Sequence, residues 1–193
     1  MAGRSVSNRR RGGYAEWMLV KMPPPSPPAA DSAAKLGVIL VDHGSRREES
    51  NRLLLDVVRQ FAESSGYEIV EPAHMELAEP SIAAAFGRCV ERGARTVVVF
   101  PYFLLPGRHW HEDIPRLAAE AAAGHPGVQY LVTAPFGLHP LMSAVIQDRI
   151  DHCLAHAAGD AAACDACDAS EHCQFRDGPS RLGRSGETSA NRG

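Results

Sequence analysis

No apolar run in this sequence approaches the roughly 20 residues needed to cross a bilayer. The longest candidates, Leu36 to Val41 and Val97 to Leu105, stop after one strand length, so an integral membrane protein is not expected. A basic surplus is lacking too: 20 Lys and Arg against 23 Asp and Glu give a formal net charge of −3 and a pI near 6.3. A general nucleic-acid binder would show clustered basic excess, so that class is excluded and any anionic ligand must be met by local charge. No nucleotide-binding signature and no internal repeat is present. The cysteines number five, an odd count, and four of them (Cys153, Cys164, Cys167 and Cys173) fall in the last quarter. A disulfide-stapled secreted domain fits that distribution poorly, and a metal or cluster site fits it better.

What is present is the balance of a globular protein, 193 residues with 45% hydrophobic and 22% charged side chains, enough for one domain with tails. Residues 1–35 hold six Lys and Arg against two Asp and Glu, residues 36–157 ten against fifteen, and residues 158–193 four against six. The first segment carries Arg4, Arg9, Arg10 and Arg11, scattered serines, and a proline run from Pro23 to Pro28. This composition predicts a leader, either a transit peptide or a disordered arm, followed by a stiff linker. The compact domain is expected over 36–157, a cysteine-rich segment over 158–175, and a disordered Gly/Ser/Arg-rich tail over 176–193.

Within the domain, short apolar runs alternate with helical patterns. Leu36 to Val41 reads as a buried strand, and Glu48 to Ser64 as a helix with Leu54, Val57, Val58 and Phe61 at helical spacing. Tyr67 to Met75 is a weaker strand interrupted by Pro72, followed by a helix from Pro80 and Ser81 to Gly93. Thr96 to Phe103 is the strongest strand, Ile114 to Ala123 an alanine-rich helix, Val128 to Val132 a short strand, and Pro140 to Ala157 a final helix. The order predicts an α/β fold: a single doubly wound domain with a four-stranded, mainly parallel sheet and helices on both faces. Ligands in such sheets sit at the carboxyl ends of the strands.

Three strand ends carry chemistry. After the first comes Asp42-His43-Gly44-Ser45-Arg46-Arg47, a tight turn with a histidine at its mouth and two arginines beside a helix start. After the second comes His74-Met75-Glu76, and after the third the loop Leu104 to His111 that leads into Glu112-Asp113-Ile114-Pro115. His43, His109 and Glu76 thereby converge. Imidazole and carboxylate together suit Fe(II), Co(II), Ni(II) or Zn(II), and an incomplete set leaves positions open for a substrate. His111 can be a second ligand or a neighbour on the far side of the loop, while His125 and His139, each beside a proline, read as structural.

The turn VDHGSRREESN, the segment HMELAEPSI and the loop FPYFLLPGRHWHEDIP together resemble the short, single-domain class II chelatases of siroheme synthesis, over about residues 36–173. The resemblance implies a lyase that inserts Fe(II) into sirohydrochlorin without a nucleotide. It implies His43 and His109 as metal-binding and proton-handling groups, with Glu76 as the third participant. The substrate is a flat ring edged with carboxylates, so Ser45, Arg46, Arg47 and Arg108 are expected to grip it and Leu105, with Phe103, Leu104 and Trp110, to wall it. A domain of this size is half of the two-domain arrangement of longer relatives, which implies a homodimer.

The cysteines follow as Cys153-x10-Cys164-x2-Cys167-x5-Cys173. Four thiolates suit a tetrahedral zinc or an iron-sulfur cluster, and spacing alone does not choose; His152, His156 and His172 keep a mixed zinc site open, and a redox disulfide is a further alternative. Here the stretch DRIDHCLAHAAGDAAACDACDASEHC is similar to the plant chloroplast form of the family, which implies a 2Fe-2S cluster on Cys153, Cys164, Cys167 and Cys173 and a plastid location. Cys89 stands apart and reads as a buried small apolar side chain. The rival readings are a cobalto- or nickel chelatase acting on a related tetrapyrrole and a non-catalytic iron or iron-sulfur carrier.

Overall fold

The computed structural model describes residues 35–166 and residue 173. The expected leader, Cys167 and the expected tail therefore lie outside the described residues, apart from Lys35. The elements run β1 (Lys35–Asp42), α1 (Glu48–Ser65), β2 (Ile69–His74), α2 (Ile82–Glu91), β3 (Ala94–Pro101), a π-helical turn (His109–Asp113), α3 (Ile114–Ala123), β4 (Gln129–Val132) and α4 (Pro140–Ala158). The chain divides into two compact units, one of residues up to 102 with 106–135, the other of 103–105 with residues from 136 onward.

In the first unit all four strands pair in parallel in the order β2-β1-β3-β4. The α/β fold with a four-stranded parallel sheet stands as expected. Side chains alternate across β1. Val38 and Leu40 pack with Leu54 and Val58 of α1 and Val70 of β2, while Gly37 faces Cys89 of α2. Helices thus cover both faces, α1 on one and α2 on the other. The chain steps from β1 outward to β2 and then crosses back over β1 to β3, which makes the gap between the ends of β1 and β3 a topological switch point, where ligand crevices open in sheets of this kind.

Local chemistry explains the limits of the elements. Gly66 ends α1 in the left-handed conformation with φ of +76°, and the Ser81 hydroxyl starts α2 by accepting from the Ala84 N–H. Pro72, which weakened the second strand in the sequence, is tolerated because β2 is an edge strand. Glu71, on the α2-facing side of β2, is 9% exposed. Its carboxylate accepts from Arg88 Nε and Arg92 Nη1, both at 2.7 Å, so the buried charge is matched by two guanidinium groups of the covering helix.

In the second unit, Phe136 and Gly137 donate backbone N–H groups to the carbonyls of Phe103 and Leu104. Helix α4 ends at Gly159 with φ of +84°, and its own histidines hold the turn that follows. His156 Nδ1 donates to the Ala161 carbonyl at 2.8 Å and His152 Nε2 to the Ala162 carbonyl at 3.1 Å. Arg149 forms a bidentate pair with Asp165, holding that carboxyl down at about 2, chiefly through the hydrogen bond.

Cys89 is fully buried, and burial pushes its thiol up to about 12. A Cβ at Gly37 would lie 2.9 Å from the Cys89 Cβ and 3.0 Å from its Sγ, closer than packed atoms approach. Gly37→Ala is expected to cost about 1–3 kcal/mol by overpacking, read as a lower urea midpoint with an unchanged slope, and an unchanged midpoint would overturn this account of the glycine.

Candidate active site at the strand ends

Parallel register brings the ends of β1 and β2 level, pairing Asp42 with His74. Just beyond, the two following loops lie backbone against backbone: the Met75 N–H donates to the Asp42 carbonyl at 2.9 Å and the Glu76 N–H to the His43 carbonyl at 3.1 Å. Gly44, with φ of +82°, makes this possible. A Cβ there would stand 2.0 Å from the Glu76 carbonyl oxygen, so only glycine lets the strands approach. Leu77 next to Glu76 also takes the left-handed conformation, with φ of +65°, a cost of about 1–2 kcal/mol for a residue with a side chain.

The consequence is a close contact of chemical groups. His43 Nδ1 is 3.1 Å from the Gly44 carbonyl and Nε2 is 2.7 Å from Glu76 Oε1. A carbonyl oxygen only accepts, so Nδ1 carries a proton, and in the neutral ring Nε2 turns a lone pair to the carboxylate. Two acceptors at that separation share a proton between them; a metal ion, held at about 2.0–2.2 Å by each, takes that place only as the two groups move apart.

His109 reaches the same place from the other side of the switch point. It opens the π-helical turn, in which the Ile114 N–H reaches back to the His109 carbonyl, a form of helix that recurs at functional sites. The two imidazoles meet edge to face, with centroids 5.2 Å apart and an interplanar angle of 68°. Asp113 Oδ2 accepts from His109 Nδ1 at 2.8 Å, which fixes the tautomer that carries its lone pair on Nε2. That hydrogen bond also holds the Asp113 carboxyl below its usual range. A depressed carboxylate keeps its contact above the ordinary Asp value and loses it only as pH falls through the lowered one.

Of the residues expected to take part, His43, Glu76 and His109 come together, all three half-exposed. Among the described residues, however, no group of three His, Cys, Asp or Glu is drawn together closely enough to hold a metal ion. Ser45 is occupied structurally: its Oγ accepts from the Arg47 N–H, and its backbone is clamped by Asn51 through two 2.9 Å bonds. Arg46 and Arg47 are exposed at the start of α1. Arg108 pairs with Glu112 at 3.1 Å on the surface. Leu105 is 66% exposed and belongs to the second unit. His111 packs against Trp110, whose indole N–H donates to the Thr133 carbonyl at 2.8 Å. His125 stacks on Phe86 and His139 caps α4, both structural as expected. Cys153 is exposed on α4, while Cys164 and Cys173 are half-buried.

The sequence pattern of the CbiX family matches residues 37–153, which include His43, Glu76 and His109 but not Cys164 or Cys173. The chain belongs to the CbiX family. The chloroplastic sirohydrochlorin ferrochelatase of Arabidopsis thaliana is 58% identical over 139 residues, covering 72% of this chain and 62% of that protein. A sirohydrochlorin cobaltochelatase of Methanococcus maripaludis is 38% identical over 80 residues, 42% of this chain and 56% of that one. The CbiX chain thus spans about 60% of the length of the curated relatives it matches. Among solved structures, SirB from Bacillus subtilis with Fe3+ superposes with a TM-score of 0.58 at 26% identity, over 61% of this chain and 46% of that one.

Gly44→Ala is expected to move the Glu76 loop by more than an ångström and to lower any activity of the site by about a hundredfold, with α/β circular dichroism retained. Full activity in that variant would show that the close approach is dispensable.

Proposed function

We propose that this chain inserts Fe(II) into sirohydrochlorin, releasing two protons and giving siroheme. The observation that carries this reading is the 2.7 Å approach of His43 Nε2 to Glu76, with His109 beside it. Metal insertion exchanges the two pyrrolic protons of the ring for one divalent ion. One imidazole holds the incoming ion while the other takes a pyrrolic proton, and Glu76 passes protons to solvent, which its exposure permits. The ion is a substrate that must leave with the ring, so a site that does not enclose it suits the task better than a closed cage.

Arg46, Arg47 and Arg108 are proposed to meet the carboxylates at the rim of the substrate. Exposure and position support Arg46 and Arg47, and Arg108 has to give up its weak surface pair with Glu112 to join them. Ser45 shapes the turn through its bond to the Arg47 N–H. The reading includes a plastid location, supported by the chloroplastic relative. It also includes a homodimer, supported by the half-exposed Leu141, Val145, Ile146, Ile150 and Leu154 of α4.

In anaerobic Fe(II) insertion followed by the visible spectrum, His43→Ala and His109→Ala are each expected to lose most turnover above the spontaneous rate, with folding intact. No wild-type turnover above that rate would move the assignment to an iron carrier. A second reading, cobalt insertion, draws support from the cobaltochelatase relative and from donors that accept several divalent ions; competition between Fe(II) and Co(II) for the ring separates the two.

The cysteines are proposed to hold a 2Fe-2S cluster. Four thiolates in sequence supply a chemically adequate set, although Cys153, Cys164 and Cys173 do not themselves form a metal-holding group and Cys167 is outside the described residues. Anaerobically purified protein is expected to contain equal iron and acid-labile sulfide, both lost in Cys164→Ser; zinc without sulfide would replace this assignment.

A further inference from the structure

Beneath the exposed site lies a pair that the insertion chemistry does not use, a buried histidine and a partly buried aspartate. His74 is 1% exposed, and its Nδ1–H donates to Asp42 Oδ1 at 2.6 Å. The same oxygen accepts the Gly44 N–H at 2.9 Å, and the carbonyl of Gly44 in turn accepts from His43 Nδ1 at 3.1 Å. Three hydrogen bonds therefore run in sequence from a buried ring to the half-exposed one. The loop that carries Glu76 is tied to the turn that carries His43 by two backbone bonds, Met75 to the Asp42 carbonyl and Glu76 to the His43 carbonyl. His74 itself is fixed from behind by its N–H bond to the Pro80 carbonyl at 2.7 Å.

We propose that Asp42 and His74 are positioning residues that set the rotation of the His43 ring, so that Nε2 faces Glu76 and the ion passing between them. An apolar pair at these two adjacent strand ends would fill the space without burying polar groups. What the polar pair adds is direction: one carboxylate oxygen takes both the donor that anchors it and the donor that orients the turn. A histidine that handles a metal is only as well aimed as the hydrogen bond on its other nitrogen, and here that bond ends on the carbonyl of Gly44, the residue whose N–H Asp42 holds, while the N–H of that carbonyl's own peptide, on Ser45, is held by Asn51. The proposal rests on the reading of His43 as a metal-handling group.

The test uses Co(II) alone as the probe, titrated anaerobically into the full chain and followed by its visible absorption, with sirohydrochlorin affinity and turnover measured in parallel. His74→Leu and Asp42→Ala remove the donor or the acceptor, and each is expected to weaken Co(II) binding about 10- to 100-fold and to lower kcat, leaving sirohydrochlorin affinity unchanged. His74→Asn, which keeps a donor where Nδ1 stands, and Asp42→Asn, which keeps Oδ1 as acceptor, are expected to recover most of both. If His74→Leu fails to fold, the contrast of His74→Asn with His74→Gln serves instead, because glutamine places its amide at the Nε2 position and leaves Asp42 without its donor.

Co(II) affinity in His74→Leu or His74→Gln equal to wild type overturns the proposal. So does an equal loss of metal and tetrapyrrole binding in all the variants, which would mark the pair as a structural support. If the wild type binds Co(II) through His43 but gives no turnover with either metal, the chelatase reading fails while the positioning role stands or falls on the same titrations. Co(II) binding that His43→Ala leaves untouched removes the role.

Discussion

Gly44 lets the turn after β1 lie directly against the loop after β2, and the site depends on that approach. A side chain at this position would collide with the Glu76 carbonyl, and the strands could then not bring His43 and Glu76 into contact. The sheet supplies the rest of the geometry. Register aligns the ends of β1 and β2, and the crossover from β2 to β3 makes a switch point beside which the His109 ring meets that of His43. Each histidine has one nitrogen held by an acceptor, a peptide carbonyl for His43 and a carboxylate for His109. Both rings therefore present the other nitrogen in a defined tautomer.

Most of this architecture is legible in the sequence because it is periodic. The helices at Ile114–Ala123 and Pro140–Ala158 and the strand order of alternation appear where the apolar pattern puts them, within a residue or so. The ends of β2 and β3 are less well defined by pattern: Tyr67, Met75, Tyr102 and Phe103 are as apolar as strand residues yet lie outside the ladder. The π-helical turn at His109–Asp113 is invisible to periodicity, since five residues hold no full repeat, and it reads as loop.

At the site, the residues with distinctive chemistry are found from sequence and those that orient them are not. His43, Glu76 and His109 stand out as reactive groups at strand ends. Asp42 and His74, 32 positions apart, become partners only through parallel register, which pattern does not specify. Asn51 is missed for a different reason: its clamp on Ser45 is local, six residues away across the start of α1, and no periodic pattern marks it. That clamp assigns Ser45 a conformational task where its residue type had suggested substrate contact.

Burial separates the ion pairs that support the fold from those available for chemistry. Glu71 is itself buried and carries two partly exposed arginines, and the fold needs such partners because a carboxylate buried without any would be strongly destabilising. The contact of His43 with Glu76 is as short, but both side chains are about half exposed, and exposed pairs of this kind contribute about 0–1 kcal/mol. Stability therefore gives little reason to hold an imidazole against a carboxylate at the strand ends, on a turn that admits only glycine and beside a leucine in a left-handed backbone. The strain is local and the return in folding energy is small. An arrangement of that kind suits proton transfer better than it serves stability, because facing lone pairs 2.7 Å apart hold a proton between them.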